Sequence, residues 1–169
     1  MAEDEVKTTE ITDAAVSEEA SGMIETIDKN GNRVVALEGV GSFVFGRPKL
    51  KRRHLIGQVM STIQKSSDGK KVIKGIAKRR GISFKQASEL KESEYTEDEL
   101  EMLQEGLGID TISSVLTEAI YAAVIEYPWD IKTMDDLEDH LDYADAVKLV
   151  KPAMEVIKDA ILSTIERKN

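Results

Sequence analysis

Hydrophobic and polar positions divide the chain into three stretches. Residues 1–22 carry Glu, Asp, Ala, Ser and Thr with no repeating apolar face. Such a stretch buries too little apolar area to offset the entropy of ordering, and it predicts a disordered acidic arm. From Met23 the apolar residues come in short runs separated by turn residues. Met23-Ile24-Glu25-Thr26-Ile27 and Arg33-Val34-Val35-Ala36-Leu37 flank Asn30-Gly31, which predicts a hairpin closed by a tight type I′ turn. After the Glu38-Gly39-Val40-Gly41 break, Ser42-Phe43-Val44-Phe45-Gly46 predicts a third strand, ending before Pro48. Residues 23–46 therefore read as an antiparallel β-meander.

Beyond Pro48 the spacing changes to that of helices. Leu55, Ile56, Val59, Met60 and Ile63 share one face of a predicted helix over 50–64. Ser66 to Lys70 reads as a loop, and 71–80 as a helix stopped by Gly81. Ser83 with Gln86, and Thr96 with Glu99, have the spacing of capping boxes that open short helices. Ile109, Ile112, Val115, Leu116, Ala119, Ile120, Ala123 and Val124 form the longest stripe, in a helix over 109–126. It ends at Tyr127-Pro128-Trp129, because proline disfavours helix at the residue before it. Thr133 caps an acidic helix to about His140. A last helix runs from about Tyr143 to Glu166, and Pro152 either kinks it or opens its second part. The expected fold is mainly α with a small N-terminal antiparallel β-meander (α+β). Residues 23–169 form one domain, with about five to six helices over 48–167.

Composition narrows the chemistry. The chain has 169 residues and no cysteine, which excludes disulfides, Cys-zinc sites, Fe–S clusters and thiol catalysis. No run of eighteen apolar residues predicts a membrane span. The acidic start, MAEDEVKTTEITD, has neither signal-peptide nor transit-peptide character, so a cytoplasmic protein is expected. The net charge of −9 is segregated. Residues 1–46 carry 3 Lys/Arg against 10 Asp/Glu, residues 47–91 carry 14 against 2, and residues 92–169 carry 6 against 20. A basic middle between acidic flanks suits contacts between copies of the chain, hence an expected homo-oligomer. The overall acidity speaks against a dedicated nucleic-acid binder.

No assembled catalytic site is visible, and neither a cofactor nor a metal site is expected. Gly39-Val40-Gly41 lacks the third glycine and the strand-to-helix setting of a dinucleotide loop. Asp28 to Asn32 begins like an EF-hand loop, but Arg33 and Gly39 stand where that loop needs Gly and Glu. His54 and His140 lie apart, without metal-ligand spacing. Asp135, Asp136, Glu138, Asp139, Asp142 and Asp145 spread around a helix circumference, as on a solvated face. One motif offers an alternative. Residues 76–90 have the order of a helix-turn-helix, with Ala77, Ile82, Ala87 and Leu90 packing and Gly81 at the turn. Ser83, Lys85, Gln86 and Ser88 would then face DNA.

A wider match runs over residues 23–165. Phe43-Val44-Phe45-Gly46-Arg47-Pro48 leads into the basic amphipathic helix. The apolar helix 109–126 leads into Tyr127-Pro128-Trp129-Asp130, then Met134-Asp135-Asp136-Leu137-Glu138-Asp139, then the final helix. This order resembles the tail assembly chaperones of long-tailed bacteriophages, apart from the strongly basic segment 65–91. The resemblance implies a non-catalytic protein that binds and solubilises the tape measure protein and aids tail tube assembly. It implies action in the host cell cytoplasm and absence from the mature virion. The tape measure protein and the tail tube protein are the implied partners. Phe43, Phe45, Arg52, Arg53, Leu55, Tyr127 and Trp129 are the candidate partner-binding residues.

Overall fold

A computed structural model describes residues 22–167. The predicted arm, 1–22, lies outside the described residues apart from Gly22. Strands β1 (Met23–Ile27), β2 (Arg33–Leu37) and β3 (Gly41–Phe45) form the expected meander. The first turn differs from the expected one. Gly31 N–H donates to the Asp28 carbonyl at 3.0 Å, which places Lys29 and Asn30, not Asn30 and Gly31, at its centre. The Asp28 carboxylate organises this loop by accepting from the Asn30 and Asn32 backbone N–H groups at 2.8 and 2.9 Å. These bonds also hold its pKa below the ordinary value.

Seven α-helices follow among the described residues. They are α1 (Arg53–Lys65), α2 (Ser67–Arg80), α3 (Phe84–Ser88), α4 (Glu97–Glu105), α5 (Ile109–Ala123), α6 (Met134–His140) and α7 (Tyr143–Glu166). The mainly α fold with a small N-terminal sheet is thus as expected, with three corrections. First, Leu50–Arg52 is a 3-10 turn that precedes α1. Second, α2 starts at Ser67, so the expected loop over 66–70 is the first turn of a helix. Ser66 caps it by accepting from Gly69 N–H at 3.0 Å. Third, α5 stops at Ala123, and Val124–Glu126 forms a fourth strand, β4, antiparallel to β3. Two β-branched residues precede Tyr127-Pro128, and β3 offers an unpaired edge, so ladder bonds outcompete a last helical turn. The sheet order is β1-β2-β3-β4. Helix α7 continues through Pro152, which is buried.

The core is aliphatic. Helix α5 packs against both α1 and α7, with Leu55, Val59 and Ile63 of α1, Val115, Ala119 and Ile120 of α5, and Leu149, Ala153 and Ile157 of α7 in one core. The sheet lays its inner face, Val35, Leu37, Phe43 and Phe45, against α7. Helices α2, α3 and α4 form a second group beside α1. No described helix is long and apolar enough to cross a membrane.

Candidate partner-binding site

The structure gathers several of the candidate residues, but mostly inside the molecule. Phe43 and Phe45 are fully buried on the inner sheet face, and Leu55 is 2% exposed on α1. Buried side chains offer a partner no surface, so these three act in the core. Tyr127 and Trp129 are half-buried and meet Phe43 edge-on, with ring centroids at 6.3 and 5.6 Å. The Tyr127-Pro128-Trp129 turn closes one end of the core. Gly41 permits this closure. It has φ +134°, and a Cβ there would lie 2.6 Å from Pro128 Cβ. His140 lies against Trp129 with the rings tilted by 34° and their centroids 5.4 Å apart.

Arg52 ties α1 to the end of α5. Its Nη1 donates to the carbonyls of Tyr121 and Val124, both at 3.0 Å, and the guanidinium sits 4.0 Å over the Tyr121 ring. Nearby, Arg52 Nε and the Tyr127 hydroxyl are buried with no hydrogen-bond partner among the described residues. Burial pushes the Tyr127 hydroxyl far above its ordinary pKa of 10.0. Arg53 is exposed and donates to Thr164 Oγ1 at 3.0 Å. Of the seven candidates, Arg53 alone presents a charged head at the open surface.

The basic helix-turn-helix segment has the expected turn. Gly81 adopts φ +66°, Ile82 N–H donates to the Ala77 carbonyl, and Ala87 is fully buried. Helix α3, however, has five residues and ends at Ser88, short of Leu90 at the end of the 76–90 segment. Ser83 and Gln86 are engaged with each other in a capping box, and Ser88 Oγ donates to the Lys85 carbonyl at 2.8 Å. Lys85 is left as the free polar side chain of the four DNA-reading candidates. The acidic run is equally local. Asp136 accepts from Lys132 and Thr133 N–H at 2.9 and 2.8 Å, which lowers its pKa. Asp142 caps α7. No described group of three His, Asp or Glu residues is arranged to hold a metal ion.

An open groove lies elsewhere, where α4, α5 and α7 meet. The groove, of about 520 Å³, has Leu107, Ile112, Val150 and Met154 along its floor. Glu101, Glu105, Lys151, Glu155 and Lys158 line its rim, and Lys158 bridges to Glu101 at 3.2 Å. Ile112 belongs to the α5 stripe visible in the sequence, while Val150 and Met154, one turn apart on α7, are buried beneath it. Periodicity puts Ile112 on the apolar face, but only tertiary packing leaves its edge of that face half-open. Asp68 fixes one end of this region. Its Oδ2 accepts from Gly108 N–H at 3.0 Å and Thr111 Oγ1 at 3.1 Å, capping α5 from outside.

Comparison with protein-family models, curated proteins and solved structures gives no match.

Proposed function

We propose that this protein is a non-catalytic assembly chaperone whose α4–α5–α7 groove receives an amphipathic helix of a long partner. The observation that carries the reading is the groove itself. It has an aliphatic floor, a rim of both charge signs and room for several aliphatic side chains. Those are the features that accept a helix by its i, i+3, i+4 and i+7 anchors. The resemblance to phage tail assembly chaperones supplies the partner: the tape measure protein, with tail tube subunits recruited afterwards. Work of this kind belongs in the host cell cytoplasm and ends before the virion is complete. Many weak grooves along one long helix act through effective concentration, so modest affinity at each suffices. The binding residues of this reading are the half-buried Leu107 and Ile112, over a floor made by the buried Val150 and Met154, in place of Phe43, Phe45 and Leu55.

Co-expression with a tape measure protein tests this. The tape measure protein moves from the insoluble to the soluble fraction with the wild-type chain, and not with Ile112→Glu. Ile112 is half-buried at the groove, and its variant must keep its helical circular dichroism for the comparison to stand. Equal rescue by both chains contradicts the groove. A tight duplex-DNA complex that Lys85→Glu abolishes contradicts the function.

A further inference from the structure

The two edges of the sheet differ. Strand β4 is three residues long and runs into Tyr127-Pro128, two devices that block further pairing. Strand β1 has five residues, no Pro, no Lys and no bulge, and among the described residues nothing pairs with its outer side. Its backbone phase follows from two bonds. Asp28 N–H donates to the Asn32 carbonyl at 2.9 Å, and Glu38 N–H to the Gly22 carbonyl at 2.8 Å. Antiparallel pairs alternate, so Ile24 and Thr26 bond to β2 while Met23, Glu25 and Ile27 turn their N–H and C=O groups outward.

The side chains fit the same picture. Ile24 is 63% and Ile27 54% exposed. On the outer sheet face Ile24 sits beside Ala36, and Thr26 beside Val34 and, one strand on, Val44. That apolar strip stops abruptly at the β1 edge. The single charge on β1, Glu25, does not guard the edge, because Arg33 neutralises it at 2.8 Å while also holding Glu155 of α7 at 2.6 Å.

We infer that the outer edge of β1 pairs antiparallel with β1 of a second copy about a two-fold axis at Glu25, joining two sheets into one. The register is self-complementary. Met23 meets the partner's Ile27, and Glu25 meets its own counterpart. Each of these pairs exchanges two hydrogen bonds between outward-facing groups. Ile24 lies against the partner's Thr26, a close β-branched pair that carries the apolar strip across the axis. The interface closes on itself, so it gives a dimer and no fibre. Its small extent places it among weak, exchanging associations. The inference does not rest on the groove, although Glu155 of the groove rim also holds Arg33.

The cysteine-free chain allows a direct test by single-cysteine cross-linking of the full protein. In Glu25→Cys the paired Cα atoms stand about 5.5 Å apart, within disulfide reach. In Ile24→Cys the symmetry-related residues lie on a diagonal of about 7–8 Å, beyond easy bridging. Mild oxidation therefore converts Glu25→Cys to a covalent dimer at least about ten times faster than Ile24→Cys. Mixing Ile24→Cys with Thr26→Cys restores rapid coupling between unlike chains. As a second measurement, Ile27→Pro removes an outward N–H while sparing the β1–β2 ladder, and lowers the mass seen by light scattering to the monomer. Equal oxidation rates at 24 and 25, no dimer at 25, or identical masses for wild type and Ile27→Pro overturn the inference. An edge covered by residues 1–21 or by another protein gives one of those results.

Discussion

The α1–α5–α7 group and the α2–α3–α4 group are both helical, yet they are held by different means. The first is joined by aliphatic area. Ile120, Leu149 and Ile157 are essentially unexposed, and no described ion pair links the three helices to one another. The second is fastened to the first, and within itself, by a few specific contacts. Gly69 lets α2 start against the end of α1, Asp68 caps α5, Gln64 donates to the Leu90 carbonyl and the Tyr95 hydroxyl at 3.0 and 2.7 Å, and Arg80 clasps Glu99. The basic charge explains the contrast. Lys70, Lys71, Lys74 and Lys78 keep one side of α2 in water, so a smaller apolar side is left to dock, and polar contacts set its position. Distributed packing tolerates single changes that pointwise fastening does not.

The sharpest break is Gly69→Ala. A Cβ at this position would lie 1.7 Å from the Ile63 carbonyl oxygen, which is backbone and cannot step aside. The α1–α2 junction must open, at a cost of about 3 kcal/mol or more. Urea unfolding measures it. A loss below about 1 kcal/mol contradicts the close junction.

Next is Glu99→Gln. Glu99 is 6% exposed and takes Arg80 Nε at 2.6 Å, while closing the capping box of α4 with Thr96 N–H at 2.9 Å. The Arg80 bond, opposed by burial, holds the Glu99 carboxyl below its ordinary 4.5. Removing the charge leaves Arg80 unpaired. The expected loss is about 2 kcal/mol, less than the roughly 3–5 kcal/mol of a fully buried pair, because solvent still reaches Arg80. A carboxyl with a depressed folded pKa stabilises the fold fully above its unfolded value, and that stabilisation is lost as pH falls through the folded value. The gap between wild type and Glu99→Gln is therefore full above about pH 5 and shrinks on acidification below the ordinary carboxylate value. A gap that widens toward acid contradicts the assignment.

The smallest effect sharpens the comparison from the other side. Tyr127→Phe deletes a buried hydroxyl that has no hydrogen-bond partner among the described residues. In a region held by packing, stability stays constant or rises by up to about 1 kcal/mol, because an unsatisfied polar group is removed and the ring contacts with Phe43 remain. A loss of about 2 kcal/mol reveals a hydrogen bond at that hydroxyl.

Periodicity and capping chemistry made most of the fold legible. Ser83-Gln86 and Thr96-Glu99 form capping boxes as their spacing predicts, and the α5 stripe is buried. The departures share a cause. Ser66 to Lys70 has loop composition, but Ser66 caps and Gly69 permits close packing, and both uses appear only once α1 and α2 are juxtaposed. Val124 to Glu126 continues a helical stripe, yet an unpaired strand from eighty residues earlier claims it. The same limit governs the candidate site. Aromatic and basic residues near Pro48 and Pro128 stand out in the sequence, and the fold uses the aromatics to close its core. The groove is built from ordinary helix-face residues whose exposure depends on which helices fail to cover them.

The groove's occupant is the central claim, and a binding titration tests it most directly. A fluorescently labelled amphipathic helical segment of a tape measure protein is titrated with the full chain and followed by anisotropy. The account predicts saturable binding by wild type that is lost in Ile112→Glu and retained in Lys85→Glu. Absence of binding by wild type, or equal binding by wild type and Ile112→Glu, contradicts it.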